Sequence, residues 1–406
     1  MVKIIPFAAI RPRPSEVASF ACPPYDVLSR TEATALAPTH RFLEVIRPEV
    51  ALPAEIDEDA PQAHAAAATA LADYQREGVL AQDSQPTIYA YRQEGYEHVQ
   101  TGIVACVRVA DYRDGVIKQH ERTLVAKEQN RIHHFEATNA QTEPVFLMYR
   151  PSEEINAAVA AAISSASPEY DFTSEDGVRH QFWALPAALT EQLVAAFSSV
   201  EALYIADGHH RSASAVKVAG ARGLDADDPR ASIMAVIFPA NDLKVLAYNR
   251  VVADLGGLSP AEFLAALKAA GYTVTTAFAD PSQAQPRQRG EFGVYVGSSW
   301  YRASYEGKPS GDPVADLDTS ILTRTVLQPI LGIEDLRTNP RISFVGGSAG
   351  IAGLEAEAGR DGVAFSLFPT SVTDVMAVSD DAQMMPPKST WFEPKLASGL
   401  FIHSLA

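Results

Sequence analysis

Apolar residues are grouped along the chain into short runs that alternate with helix-compatible segments. Ala202–Ala206 and Ser232–Phe238 have the length of buried strands, and Ser212–Val218 between them has a helical composition closed by Gly220. Short apolar runs bounded by turn residues are typical of strands that are covered on both faces. The order strand, helix, strand therefore predicts an α+β, or mixed α/β, core.

Further elements are predicted on both sides of this segment. Thr87–Arg92 and Thr101–Val109 are β-rich, and the polar segment between them contains Gly95, which predicts a hairpin. The other predicted strands are Gly115–Lys118, Val145–Tyr149, Thr273–Thr276, Phe292–Val296 and Tyr301–Tyr305, and the other predicted helices are Ala60–Tyr74, Ser152–Ile163 and Pro186–Phe197.

A helix start is encoded most clearly at Ser259. This serine has the N-cap position, Pro260 follows at the first helical position, and Glu262 lies three residues after the cap. Gly271 is expected to end the helix. Residues 1–50 are instead rich in proline, which fixes its own φ and removes a backbone donor, so they predict structured loop with short strands.

Length and element pattern together predict the domain organisation. A chain of 406 residues exceeds the usual size of one hydrophobic core. We expect a main α+β core over residues 1–255, a small α+β subdomain over 256–310, and a C-terminal segment, 311–406, that packs back on the core.

Composition and charge exclude several classes of protein. With 47% hydrophobic and 20% charged residues, the chain is an ordinary globular protein and neither disordered nor fibrous. The formal net charge of -17 disfavours nucleic acid and anionic membranes as partners. Cys22 and Cys106 are too few for a disulfide scaffold, and no segment has the length of a bilayer span, so a cytoplasmic location is expected.

The strongest candidate for chemistry is the Asp207–Arg211 motif, Asp-Gly-His-His-Arg, placed between a predicted strand and a predicted helix. Gly208 permits a tight turn, and a helix N-terminus suits a phosphate. Arg211 adds bidentate hydrogen bonds, and Asp207 has the chemistry of a cation ligand or a base. Asp207 could instead cap the helix while Arg211 pairs with a carboxylate, but five consecutive functional residues favour an anion-handling site.

Two further groups of polar residues follow predicted strands or lie in proline-rich turns. His120-Glu121-Arg122 ends a predicted strand, and Lys127, Arg131 and His134 follow at helical spacing on one side of a helix. A solvated basic face is the alternative interpretation of that helix. The turns display Tyr25 and Asp26 near the N-terminus, and Lys388, Ser389 and Thr390 near the C-terminus.

Together these motifs resemble a conserved prokaryotic family, the domain-of-unknown-function 1015 family, and the resemblance spans nearly the whole chain. One departure lies at Tyr248-Asn249-Arg250, where the family pattern has a histidine before the arginine. The residues that carry the resemblance are Pro24-Tyr25-Asp26-Val27, His120-Glu121-Arg122-Thr123, Ala206 to Arg211, Met385-Pro386-Pro387-Lys388-Ser389-Thr390, Phe392, Pro394-Lys395-Leu396 and Ser398-Gly399-Leu400.

The Asp207–Arg211 motif is also similar to the phosphate-binding motif of the ParB and sulfiredoxin superfamily, which includes free-serine kinases. This resemblance implies a ParB/sulfiredoxin-like core elaborated by additional α+β segments. It implies phosphate and metal roles for the motif, with Glu121 and Asp26 as candidate catalytic carboxylates. The predicted site is: catalytic Asp207, His209, Glu121 and Asp26; phosphate- or nucleotide-binding Gly208, His210, Arg211, His120, Lys127, Arg131 and Lys388; metal-binding Asp207.

The implied function is a nucleotide-dependent kinase that phosphorylates a hydroxyl group of a free amino acid or similar metabolite. Its cofactors are Mg²⁺ and ATP or ADP as phosphoryl donor, its partners are the nucleotide and the hydroxylated metabolite, and a homodimer is left open. One alternative is a non-catalytic nucleotide-binding regulator of the ParB type. Another is a metal-dependent hydrolase that uses His209, His210, His120 and Glu121.

Overall fold

A computed structural model describes residues 1–406 and confirms the α+β class. The chain forms two compact units. The first comprises Met1–Leu243 together with Pro394–Ala406, and the second comprises Lys244–Glu393.

The first unit contains short strands at both chain ends and longer strands between them. Its strands are β1 Ile4–Ile5, β2 Ile10–Pro12, β3 Leu80–Gln82, β4 Tyr89–Gly95, β5 His98–Arg108, β6 Ile117–Lys118, β7 Ala140–Gln141, β8 Val145–Tyr149, β9 Tyr170–Thr173, β10 Arg179–Ala184, β11 Leu203–Asp207, β12 Ser232–Pro239 and, after the second unit, β21 His403–Ser404. Its helices are α1 Val17–Phe20, α2 Arg30–Leu36, α3 Leu43–Ile46, α4 Pro61–Arg76, α5 Val109–Arg113, α6 Val125–Thr138, α7 Glu153–Ser165, α8 Ala187–Phe197 and α9 His209–Ala221.

A mixed sheet of nine strands forms the centre of the first unit, in the order β6-β11-β8-β12-β5-β4-β10-β9, with β1 also paired to β5. Strands β6 and β11 are parallel, as are β8 and β12, whereas β8 and β11 are antiparallel. Every residue of β12 is buried, as expected for an apolar run that lies between two strands. Helix α9 packs against β12 and α6, and thus covers the sheet where β11 ends.

The strands of the second unit are β13 Lys244–Leu246, β14 Tyr248–Val252, β15 Tyr272–Val274, β16 Glu291–Val296, β17 Ser299–Tyr305, β18 Ile342–Gly346, β19 Val363–Leu367 and β20 Trp391–Glu393, and its helices are α10 Pro260–Ala269, α11 Asp318–Leu322, α12 Gly350–Ala358 and α13 Val372–Asp380. Six of these strands form a separate antiparallel sheet, in the order β15-β17-β16-β19-β14-β18.

The capping signal at Ser259 is confirmed. The Ser259 side chain accepts a hydrogen bond from the backbone N–H of Glu262, and the Glu262 carboxylate accepts one from the backbone N–H of Ser259. Phe263 and Leu267 on this helix are buried in the core of the second unit. Here the local pattern and the tertiary packing agree.

Two expectations differ from the structure. The second unit begins at Lys244 and continues to Glu393, instead of dividing at 256 and 311, because β14 pairs with β18 and β19 from much later in the chain. Residues 1–50 contain the short helices α1, α2 and α3 besides short strands. Helix α2 begins with a capping box at Ser29, a local signal strong enough to form a helix within a proline-rich segment.

None of the helices combines the length and the apolar character that crossing a bilayer requires.

Candidate active site

The Asp207–Arg211 motif lies at the junction of strand β11 and helix α9, as predicted. Strand β11 ends at Asp207, and α9 begins at His209 and continues for 13 residues. Gly208 connects them at φ 93°, a left-handed conformation that costs glycine little. A Cβ atom on this residue would lie 3.0 Å from Nε of Arg211, so any larger residue would crowd the guanidinium. The turn thus places the positive end of the helix dipole beside the carboxylate of Asp207.

The parallel pairing of β6 with β11 brings the His120–Glu121 segment to the same place. Leu203 pairs with Ile117 in this ladder, so the residues that follow both strands emerge at one end of the sheet. The backbone N–H of His120 donates to Nε2 of His209 at 3.4 Å, and the two rings lie perpendicular with centroids 4.5 Å apart. The two motifs, which are 86 or more positions apart, therefore share one site.

His210 points away from this pair of rings. Its Nε2 accepts a hydrogen bond of 3.0 Å from the backbone N–H of Leu124, just before α6 begins. Consecutive helical residues differ in direction by about 100°. His209 and His210 consequently contact different parts of the segment that follows β6.

Burial keeps the imidazoles of His120 and His209 neutral. It lowers the pKa of His120 to about 4, against the opposing effect of the negative charge of Asp207. Burial and the neighbouring His120 place the pKa of His209 well below its usual value. Both rings can therefore act near neutral pH as hydrogen-bond partners or as metal ligands, which need an unprotonated nitrogen.

Arg211 is buried among carboxylates. Its guanidinium donates to the backbone carbonyl of Pro144 and, at 3.1 Å, to Oδ2 of Asp207. Burial alone would lower the pKa of Arg211, but Asp207, Asp26 and Glu143 together raise it above the usual value. Arg211 is thus a permanent positive charge at the start of α9.

Lys395 adds a second positive charge to this end of the site. Its Nζ atom lies 3.9 Å from Oδ2 of Asp207. The residue comes from the C-terminal segment that belongs to the first unit. Asp207 thus has an arginine and a lysine beside one carboxylate oxygen.

Glu143 connects the site to three other segments. Its Oε1 accepts hydrogen bonds from the backbone N–H of Tyr25 at 3.2 Å and from Oγ of Ser398 at 2.9 Å. Its Oε2 lies 3.7 Å from Nη1 of Arg131, whose guanidinium stacks 4.1 Å above the Tyr25 ring. Burial raises the pKa of Glu143, opposed by Arg211 and Arg131. This network places the turn that carries Asp26 near Arg211.

Two predicted residues are not brought to these groups. Lys127 is exposed on α6 and makes no contact with the motif, whereas Arg131 and His134 on the same helix are buried. The predicted common face of these three residues therefore divides between solvent and interior. Lys388 belongs to the second unit, where its Nζ lies 5.6 Å from the centre of the Tyr248 ring.

Sequence reasoning did not select Glu143, Lys395 or Ser398 as site residues. Lys395 and Ser398 stand in the C-terminal motifs Pro394-Lys395-Leu396 and Ser398-Gly399-Leu400, which were a usable signal. Glu143 is not part of any motif. The only signal in the sequence is that it lies just before the start of strand β8.

A metal ion has one suitable group of ligands here. His120, Glu121 and His209 each offer one ligand atom, and the three atoms lie within 4.8 Å of one another. The side chain of Asp207 is 31% exposed and carries carboxylate oxygens, the type of ligand atom that Mg²⁺ prefers.

Sequence comparison identifies one family. The model of a family described as "Protein of unknown function (DUF1015)" matches residues 4–320. Comparison with curated proteins finds no match.

Solved structures resemble this chain at low identity. Free serine kinase in complex with AMP is 15% identical, with 71% of this chain and 86% of that chain covered and a TM-score of 0.37. A conserved hypothetical protein from Pyrococcus furiosus is 14% identical, with 74% and 95% covered and a TM-score of 0.38. SbnI with a C-terminal truncation, from Staphylococcus aureus, is 12% identical, with 74% and 87% covered and a TM-score of 0.38. At these values the assignment of a function rests on the residues of the site.

Proposed function

The chain belongs to the DUF1015 family of proteins of unknown function, and we propose that it is a nucleotide-dependent kinase that phosphorylates a hydroxyl group of a free amino acid or a similar small metabolite. The observation that carries the proposal is the arrangement of Arg211 and Lys395 around Asp207 at the N-terminus of α9. Phosphoryl transfer depends mainly on positioning and on neutralisation of charge. A helix N-terminus with two cations provides both for a phosphate group.

The phosphates of ATP or ADP bind at the start of α9 in this proposal. The backbone N–H groups at the helix start, Lys395 and His210 contact the phosphate oxygens, and Arg211 holds Asp207 in place. Asp207 is the Mg²⁺ ligand in this proposal, because its carboxylate is partly exposed and lies beside Arg211 and Lys395. Mg²⁺ bound with the nucleotide neutralises negative charge on the phosphates.

The acceptor hydroxyl needs a carboxylate that can accept its proton. Glu121 is half-buried beside His209, and Asp26 is exposed on the turn next to Arg211. Replacement of the true base should lower kcat strongly and change KM little, since the base acts on the reacting proton. Comparison of Glu121→Gln with Asp26→Asn therefore assigns this role.

The test is product formation by the full chain with Mg²⁺, ATP or ADP, and a panel of hydroxy-amino acids, followed by mass spectrometry. Free serine is the first acceptor, because the motif resembles that of free-serine kinases. Lys395→Met should weaken nucleotide binding about 10–100-fold, as expected when a hydrogen bond to a charged group worth about 1.5–3 kcal/mol is lost. Lys3→Met is the matched control, because it removes an exposed lysine of the same unit.

The outcomes separate the proposed function from its alternatives. Absence of phosphorylated product with every donor and acceptor would overturn the kinase proposal. Tight nucleotide binding without a product would instead favour a nucleotide-binding regulator. The group formed by His120, Glu121 and His209 favours a second candidate, a metal-dependent hydrolase, which would release phosphate without any acceptor.

A further inference from the structure

Three side chains with metal-binding chemistry converge beside the start of α9. The ligand atoms of His120, Glu121 and His209 lie within 4.8 Å of one another. His120 is 1% exposed and His209 5% exposed, whereas Glu121 is half-buried. The group therefore consists of two enclosed imidazoles and a carboxylate that solvent can reach.

We propose that His120, Glu121 and His209 bind one divalent transition-metal ion, Zn²⁺ in the first instance, next to the phosphate site. Two imidazoles and one carboxylate are the protein ligands of many catalytic zinc sites, which keep a further position open for water or substrate. Mg²⁺ prefers an all-oxygen environment, so this ion is distinct from the one assigned to Asp207. The proposal rests on the proposed function only for the phosphate oxygen that would fill the open position, and with Glu121 bound to the ion it leaves Asp26 as the base of the kinase.

The backbone supports this combination of ligands. Two adjacent residues of one helix cannot easily reach the same ion, because they point in different directions. Here only His209 comes from α9, and the other two residues come from the segment after β6, which the β6–β11 ladder fixes beside it. The hydrogen bond of 3.4 Å from the His120 backbone to Nε2 of His209 places this nitrogen beside the segment that carries the other two ligands, and a bound ion would replace this N–H as the partner of the Nε2 lone pair.

The distances require only a small adjustment on metal binding. Ligand atoms about 2.0–2.2 Å from Zn²⁺ in tetrahedral geometry are about 3.3–3.6 Å apart. The distances of up to 4.8 Å between these three atoms would therefore shorten when the ion binds. Of the three side chains, that of Glu121 is the least buried.

The surrounding charges have the pattern of an outer shell. Asp207 acts electrostatically on both His120 and His209, and it is in turn held by Arg211 and Lys395. Carboxylates near metal-bound histidines orient the rings and raise the affinity for the ion. A divalent ion in this place would make the helix start more positive and would strengthen phosphate binding.

The experiment measures metal binding alone, without nucleotide. The full chain is freed of metal by chelation and then titrated with Co²⁺, followed by its visible absorption spectrum, and with Zn²⁺, followed by calorimetry. We expect one site per chain and a Co²⁺ spectrum of low coordination number. Glu121→Gln and His209→Gln should each weaken Zn²⁺ binding by more than about 100-fold, beyond the 10–100-fold effect of an outer-shell change.

His210→Gln is the matched control for metal binding, because it changes the same residue type at the next helical position. Its Zn²⁺ affinity should stay within about threefold of the original chain, since the His210 ring contacts Leu124. Circular dichroism checks that each variant is folded, and Glu121→Gln carries the test if His209→Gln is not.

Several results would overturn the metal proposal. These are absence of micromolar Zn²⁺ or Co²⁺ binding, unchanged affinity in Glu121→Gln, or equal losses in His209→Gln and His210→Gln. The two proposals fail separately. Metal binding without any phosphorylated product overturns only the kinase, whereas product formation with Mg²⁺ in a chain that binds no transition metal overturns only this site.

Discussion

Arg211 in the first unit and Arg250 in the second are both almost completely buried, and their charges are compensated in different ways. Arg211 is surrounded by carboxylates that raise its pKa. Arg250 donates instead to the backbone carbonyls of Tyr248, Pro387 and Lys388, and lies 5.0 Å from the centre of the Phe344 ring. Burial without a carboxylate lowers the pKa of Arg250 to about 9.

This difference separates a charge used for structure from one available for chemistry. Backbone carbonyl groups accept hydrogen bonds from Nη1 and Nη2 of Arg250, which thereby hold the loop that displays Lys388. Arg211 and the carboxylates around it form a network of opposite charges, and a charged ligand that binds there would change the net charge of the network. The units also differ in their histidines: all ten lie in the first unit, and none lies in residues 244–393.

The largest expected difference comes from replacement of the two arginines. Arg211→Met removes the positive charge that compensates Asp207 and Glu143, and we expect a loss of about 3–5 kcal/mol of unfolding free energy. Arg250→Met leaves only carbonyl groups without donors, and about 1–3 kcal/mol should be lost. Urea unfolding of the full chain, with hydrogen exchange to locate the change, measures both. Equal losses would show that charge compensation does not distinguish the units.

Acid should destabilise the first unit selectively. Burial lowers the pKa of His180 and of His403 to about 4, so between pH 6.5 and 4 the unfolded chain binds more protons than the folded one. The stability that these neutral rings contribute is complete above pH 6.5 and falls by about 2 kcal/mol for each ring at pH 5.

The second unit should respond to the same acidification in the opposite sense. Burial raises the pKa of Asp318 to about 6, so the folded state takes up a proton first and gains about 1 kcal/mol by pH 5. Hydrogen exchange at pH 7 and pH 5, corrected for intrinsic rates, compares peptides of both units. Faster loss of protection in the second unit would contradict this assignment.

A methyl group at Gly208 tests the packing around Arg211. Gly208→Ala places a Cβ 3.0 Å from the guanidinium at a positive φ, and we expect a cost of about 2 kcal/mol. Gly257→Ala in the second unit is the control, because its φ of 89° is similar and no atom lies within 4 Å. It should cost about 1 kcal/mol, from the backbone alone. Urea unfolding measures both, and a smaller loss for Gly208→Ala would exclude the crowding effect.

Helix capping should give the smallest effect and the same one in both units. Ser29 and Ser259 each form a capping box with a glutamate three residues later. Replacement of either serine with alanine should cost about 1 kcal/mol, as for N-caps in general. Thermal unfolding checks the equality, and a large difference would show that local signals also separate the units.

The secondary structure was largely predictable because it depends on local pattern. The apolar run at Ser232–Phe238 forms β12, and the capping signal at Ser259 begins α10. The capping box at Ser29 begins α2, although the prolines of residues 1–50 had predicted loop and short strands there. Local pattern does not give strand partners, so the division into two units could not be predicted from it.

The site was only partly predictable, for the same reason. The Asp207–Arg211 motif and the His120–Glu121 segment could each be selected by residue type and position after a strand. Their contact depends on the parallel pairing of β6 with β11, which no periodicity encodes. Glu143 and Lys395 reach the site through tertiary contacts over long stretches of chain.

Discontinuity of the first unit makes its site depend on the order of synthesis. Lys395 and Ser398, which contact Asp207 and Glu143, follow the whole of the second unit in the chain. A nascent chain that has just completed α9 at Ala221 therefore lacks these two partners until residues 222–393, which include the whole second unit, have been added. The charges around Asp207 are therefore complete only after the whole of the second unit has been synthesised, and cleavage within residues 244–393 that released the segment after them would remove Lys395.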